Sequence, residues 1–234
     1  MENKFSSPII VAHRGAHTKA ILENTIESFS RAFALNADAV EGDFHLTKDK
    51  KIVCHHDTKV KNTSIPMATL DTLQTIDPTL PTLKDVLQVV PADKMIYIEI
   101  KCGTEIFEIL TPVIHHSSLN YAQIVIISFD AAVIYQAKVL YPSMKAYWLY
   151  VFSKEEVPDI DNLLHILDSC HADGISTNIN TYVDEHFIFA IKEKEYTFHA
   201  WTINSIDQAR KLKEWGTSSI TTDKLEEIRE GLRE

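Results

Sequence analysis

Short runs of β-branched and aliphatic residues alternate along the chain with longer stretches in which apolar positions recur every three or four residues, and the rhythm repeats about eight times. The short runs predict strands over 9–12, 40–45, 96–101, 124–129, 145–150, 173–176, 197–202 and 219–222, with a small extra strand over 52–54. Helical spacing fills most of the gaps, over 25–35, 83–90, 105–115, 131–140, 160–170, 182–195, 206–215 and 224–232. Three of these helices open on an oxygen-bearing residue with Glu or Gln three positions on: Asn24 with Glu27, Ser205 with Gln208, and Asp223 with Glu226. That pattern satisfies orphan amides at a helix start. Alternation of this kind predicts a parallel sheet. Eight units fit a closed (β/α)8 TIM barrel, an α/β fold in a single domain over 1–234, better than an open doubly wound sheet. The latter calls for a glycine-rich phosphate loop, and the chain has six glycines and no GxGxxG. The stretch 57–81, rich in Thr, Asp, Lys and Pro, shows no clear helical period and is expected as a loop region after the second strand.

Composition narrows the partners. With 45% hydrophobic and 24% charged residues among 234, a full globular core is expected. The net charge of −10 argues against nucleic acid and anionic membranes, which reward Lys and Arg. An anionic ligand must then be met by a local basic cluster or a metal. No basic segment leads into an apolar core at the start, and no apolar run approaches the roughly 18 residues of a membrane span. A cytoplasmic protein without stable membrane insertion is therefore expected. Cys54, Cys102 and Cys170 are far apart and show no CxxC spacing, so neither a disulfide framework nor a zinc site is indicated.

Candidate chemistry collects at strand ends, where the active face of such a barrel lies. The first strand ends in His13-Arg14-Gly15, the second carries Glu41-Gly42-Asp43, and the third carries Glu99-Ile100-Lys101. Alternation puts Glu41 with Asp43, and Glu99 with Lys101, on one face, with Phe44, Ile98 and Ile100 on the other. Three carboxylates crowded together repel and are driven toward protonation unless a cation shares them. One divalent ion is the economical answer, and an all-oxygen set points to Mg²⁺ or Ca²⁺. The alternative is a structural network in which Arg14 and Lys101 pair with the acids; two period-two pairs on adjacent strands weigh against it. Ile52-Val53-Cys54-His55-His56-Asp57 is another apolar run ending in imidazole. His13 and His56 are candidates for base and acid on opposite sides of a reacting phosphorus. Spacing alone leaves open whether His55 or His56 faces inward. The other histidines, including His17, His45 and His199, are read as ordinary core or surface residues.

These residues, in this order, resemble the glycerophosphodiester phosphodiesterase family across nearly the whole chain. The resemblance rests on His13-Arg14-Gly15, Glu23-Asn24-Thr25, Glu41-x-Asp43, Leu46-Thr47-x-Asp49, His56-Asp57, Pro81-Thr82-Leu83, Glu99-x-Lys101, Ser128-Phe129, Trp201-Thr202-x-Asn204 and Ile220-Thr221-Thr222-Asp223. It implies a phosphodiesterase-type TIM barrel, metal ligands Glu41, Asp43 and Glu99, a base and acid in His13 and His56, and a phosphate clamp of Arg14 and Lys101. Trp201 would pack against the glycerol carbons. It further implies attack by the substrate's own glycerol 2-hydroxyl, a cyclic phosphate, release of an alcohol such as choline or ethanolamine, and ring opening by water to sn-glycerol 3-phosphate.

Two departures stand out: the segment between Gly15 and Glu23 is one residue longer than the usual spacing, and Leu22 stands where the family generally has proline. Rival readings are a lysophospholipase D or related phospholipase of the same fold, which would want an apolar rim, and a non-catalytic phosphodiester-binding barrel, which would need no acid and base. A metal-dependent amidohydrolase would want His-x-His at the first strand end. The expected partner is a small-molecule glycerophosphodiester; monomer and homodimer are both compatible with the sequence.

Overall fold

The computed structural model describes residues 7–233. In chain order its elements begin with β1 (Ile9–Ala12), α1 (Ile26–Ala34), β2 (Ala39–Leu46), β3 (Ile52–Cys54), β4 (Lys59–Val60), β5 (Thr63–Ser64), α2 (Leu70–Ile76) and α3 (Leu83–Gln88). They continue with β6 (Met95–Ile100), α4 (Phe107–His115), β7 (Ile124–Ser128), α5 (Ala131–Leu140), β8 (Lys145–Tyr150) and α6 (Ile160–Ser169). The last are β9 (Gly174–Thr177), α7 (Glu185–Glu193), β10 (Thr197–Ala200), α8 (Ile206–Glu214), β11 (Ser219–Thr222) and α9 (Leu225–Gly231).

Strands β1, β2, β6, β7, β8, β9, β10 and β11 pair in parallel in that order, and β1 pairs with both β2 and β11, so the sheet closes. The expected TIM barrel in one domain is the observed fold. Strand alternation sorts the side chains into two cores. Ile10, Val40, Phe44, Ile96, Ile98 and Ile100 point outward into the large core under the helices. Val11, Ala39, Tyr97, Val125, Ile127, Tyr147 and Leu149 point inward and fill the barrel. At about 25 cal/mol per Å² of apolar surface, the outer layer is the main source of stability and the inner plug makes the barrel a packed core rather than a pore.

The stretch 57–81 is not the featureless loop expected from its composition. It folds as the two-stranded hairpin β4–β5, a 3₁₀ turn over Ile65–Met67 and the short helix α2. Val53, Val60, Ile65, Ala68, Leu73 and Leu80 give it a small core of its own. Apolar residues this sparse fall below the periodicity a helix of seven residues needs to announce itself.

Two of the three predicted caps are also corrected. Thr25, not Asn24, caps α1, its hydroxyl accepting from the Ser28 amide. Asp223 does not cap α9, whose first turn has no side-chain cap. Ser205 does cap α8. Asn24 and Asp223 are instead turned toward the mouth of the barrel.

Candidate active site

The β2–β6 register sets Asp43 beside Glu99 and Glu41 beside Tyr97, so inward alternation stacks three carboxylates near the strand ends. One oxygen from each of Glu41, Asp43 and Glu99 lies within 4.8 Å of the others, a group that could hold a metal ion. Lys101 Nζ stands 3.1 Å from Asp43 Oδ1 and 2.9 Å from Glu99 Oε1. Glu41 Oε1 is buried with no hydrogen-bond donor, whereas Glu99 Oε1 has the Lys101 ammonium as its neighbour.

Burial pushes the Glu41 carboxyl well above its ordinary value, and the charges of Asp43 and Glu99 add to the shift. Glu99 is raised for the same two reasons, burial first and Asp43 second, with Lys101 opposing. For Asp43 burial also works upward, but Lys101, Arg14 and the Asn24 amide outweigh it and the net shift is downward. One carboxylate is thus fully compensated and two are not, the imbalance expected where a further positive charge belongs.

The turn after β1 delivers the cationic side. Arg14 sits in the left-handed region, φ 53°, which aims its backbone amide at Glu41 Oε2, 3.1 Å away. Its guanidinium lies 3.3 Å from Asp43 Oδ2 through Nε and donates to Glu23 Oε1 at 2.8 Å through Nη1. Glu23 therefore holds Arg14. Gly15 follows at φ 82°, and a Cβ there would lie 2.6 Å from the Ser28 backbone, so no other residue fits this corner. Asn24, also left-handed, donates to Asp43 Oδ2 at 2.8 Å and accepts from the Asp43 amide, fixing the carboxylate.

Both candidate imidazoles are held through Nδ1 by a carboxylate. His13 Nδ1 is 2.6 Å from Asp223 Oδ1, and its Nε2 is 4.0 Å from Glu41 Oε2. His56 Nδ1 is 2.9 Å from Asp57 Oδ1. Asp223 is itself clamped by Asn204, whose Nδ2 donates to Asp223 Oδ2 at 2.7 Å. Burial alone would raise Asp223, but bonds from His13, His17 and Asn204 pull it far below the ordinary carboxylate range. His17, 3.4 Å from the same oxygen, is raised chiefly by that bond.

A cavity of about 210 Å³ gathers His13, Arg14, Glu41, His56, Glu99 and Lys101, and the rest of its lining is Ile127, Leu149, Ser176, His199, Trp201 and Thr221, with Phe129 at the edge. Asp43 closes the group from behind through Arg14 and Lys101. His55 turns away, its Nδ1 near the Asp57 carbonyl, and lines only a neighbouring hollow with Leu22 and Glu23. A larger groove of about 540 Å³ lies on the outside of the barrel between α3 and α4, remote from every acid named above.

The structure adds Asp223, Asn24 and Glu23 as supports of the candidate residues. Asn24 and Asp223 carried signals that read equally well as helix caps, because Asn and Asp cap helices for the same reason they brace other side chains: a short stem and a free oxygen.

Comparison with known proteins identifies the family and the fold. The profile of the glycerophosphoryl diester phosphodiesterase family matches residues 13–227. The chain is 25% identical over 240 residues to a glycerophosphodiester phosphodiesterase of Caldanaerobacter subterraneus subsp. tengcongensis, covering 94% of this chain and 96% of that protein. The crystal structure of a glycerophosphodiester phosphodiesterase from Thermotoga maritima superposes with TM-score 0.80 at 25% identity, over 96% of this chain and 98% of that one. An Oleispira antarctica phosphodiesterase, solved in complex with the product sn-glycerol-3-phosphate, shares the fold with TM-score 0.83 at 22% identity, over 97% and 98% of the two chains. With a match spanning the barrel from His13 to Glu227, the chain belongs to the glycerophosphoryl diester phosphodiesterase family of phosphoric diester hydrolases.

Proposed function

We propose that the chain hydrolyses glycerophosphodiesters such as glycerophosphocholine and glycerophosphoethanolamine to sn-glycerol 3-phosphate and an alcohol, with one divalent cation, Mg²⁺ or Ca²⁺, at Glu41, Asp43 and Glu99. One observation carries the reading: two carboxylates, two imidazoles, a guanidinium and an ammonium line one small cavity, with the third carboxylate, Asp43, directly behind them. The orphaned Glu41 Oε1 fits a cation, and the all-carboxylate donor set fits a hard one. When bound, such an ion supplies positive charge to the phosphoryl oxygens as negative charge builds on them.

The residues of the chain do the rest. Arg14 and Lys101 bind the phosphodiester oxygens, and Glu23 and Asp43 hold those two cations in place. His13, with Nδ1 committed to Asp223, presents the lone pair of Nε2 as the base that takes the proton of the glycerol 2-hydroxyl. That hydroxyl attacks phosphorus, and His56 gives a proton to the departing alcohol oxygen. Water then opens the cyclic phosphate with the two roles exchanged. Trp201 packs against the glycerol carbons. A purely binding barrel would have no use for two imidazoles oriented by separate carboxylates.

The test is phosphorus NMR of the protein with glycerophosphocholine, glycerophosphoethanolamine and lysophosphatidylcholine, before and after chelation. Glycerol 3-phosphate from the first two, lost with chelator and restored by Mg²⁺ or Ca²⁺, is the expected result. Full activity in metal-free protein defeats the cation assignment. Preferred cleavage of lysophosphatidylcholine would make the chain a lysophospholipase D.

A further inference from the structure

The wall of the cavity that faces the carboxylates has a feature the reaction as described leaves unused. In the closed barrel order, β9 lies diametrically across from β2, and β10 across from β6. From β9 comes Ser176, fully buried between Leu149 and His199 in register, and from the end of β10 comes Trp201. Ser176 Oγ and Trp201 Nε1 are both buried without a hydrogen-bond partner, and both residues line the cavity. Their polar neighbours are already engaged: His199 is bonded to Thr221 Oγ1 at 2.9 Å and to Ser219 Oγ at 3.0 Å. Buried polar groups are nearly always paired, and two unpaired groups facing one small cavity indicate that something entering it completes them.

The chemistry of the pair narrows what that is. The indole N–H only donates, whereas the serine hydroxyl also accepts. A ligand hydroxyl satisfies both at once, accepting from Trp201 and donating to Ser176; an ester or ether oxygen cannot donate. With phosphorus held near Arg14, Lys101 and the carboxylates, the part of a glycerophosphodiester that crosses to this wall is the far end of its glycerol unit. Resting on the function proposed above, we propose that Ser176 and Trp201 form a subsite for the free terminal hydroxyl of the glycerol unit, making Ser176 a residue that selects deacylated substrates over those carrying an acyl chain at that position.

The test compares glycerophosphocholine with 2-hydroxypropyl phosphocholine, which keeps the attacking hydroxyl and lacks only the terminal one. The wild-type protein is expected to prefer glycerophosphocholine in kcat/KM by at least about tenfold, because a site built around a hydroxyl discriminates strongly against its absence. Ser176→Ala should bring the ratio to about threefold or less by losing activity on glycerophosphocholine alone, while its turnover of the deoxy analogue reports that the variant is folded. Trp201→Phe, which keeps a ring and removes the N–H, should narrow the ratio in the same way. A wild-type ratio near one overturns the subsite, as does a Ser176→Ala variant that keeps the wild-type ratio or slows both substrates equally. If the wild-type protein cleaves neither compound nor any other glycerophosphodiester, it is the proposed function that falls, and the subsite with it.

Discussion

The two walls of the cavity follow opposite electrostatic plans. The wall made by β1, β2 and β6 crowds three acids against Arg14 and Lys101, and burial is the largest single influence on these groups, with one another's charges after it. The wall made by β9, β10 and β11 carries Ser176, His199 and Thr221 and no formal charge. There His199 is held down to about 3 by burial alone. The contrast shows how a barrel divides its work. Charge is placed where other charge can answer it, and on the proposed function the neutral facing wall would recognise shape and hydrogen bonding without competing for the phosphate.

The largest effect should come from breaking the charged wall at its least compensated member. Glu41→Gln should lower kcat on glycerophosphocholine by about a thousandfold or more, since it removes a ligand of the proposed cation, whose positive charge would be worth several kcal/mol to the phosphoryl oxygens. Steady-state turnover with circular dichroism as a fold check measures this, and a variant within tenfold of wild type would show the acid to be structural. Next come the imidazoles: His13→Ala and His56→Ala should each cost at least about a hundredfold in kcat with the fold intact. Near-wild-type turnover in either removes that residue from the mechanism.

Asp223→Asn should cost less than loss of His13 itself, about tenfold or more, because the ring remains but the amide no longer enforces a proton on Nδ1. A bare structural role would lower stability and leave the pH profile of kcat/KM unmoved; the expected result is a shifted profile. The smallest effect probes the neutral wall. His199 has an ordinary value of 6.5 and a folded value of about 3, so between those values the unfolded chain binds a proton the folded one refuses. Its contribution is complete above about pH 6.5 and is lost as pH falls, by about 2 kcal/mol between pH 7.5 and pH 5. Denaturant unfolding of wild type and His199→Gln at those two pH values should show the gap between them change by that amount, with the wild type losing more.

Much of this was legible before the fold was seen, and for identifiable reasons. Strands of four to eight residues with inward and outward alternation leave a period-two trace, so Glu41, Asp43, Glu99 and Lys101 could be placed on one face from sequence. His13 and Arg14 were marked by their position at the end of an apolar run. Other features leave no local trace. That His56 lines the cavity while His55 does not depends on how the chain leaves β3. Asp223 binds His13 across 210 residues of chain, a contact that no window of sequence contains. Ser176 looks like any small strand residue until its lack of a partner is known. The helix of the 57–81 stretch leaves no trace because the few apolar residues that its small satellite core needs are too sparse to set a helical period.

The link between Asp223 and His13 ties the reactive end of the first strand to the residue that ends the last. A chain emerging from the ribosome has its first strand, both acids of the second and the acid of the third long before the eighth stave arrives. Until then His13, the proposed base, has no brace. On the proposed mechanism competence would therefore wait for β11, and a fragment stopped short of that strand would be expected to gather the acids yet leave their imidazole neighbour adrift.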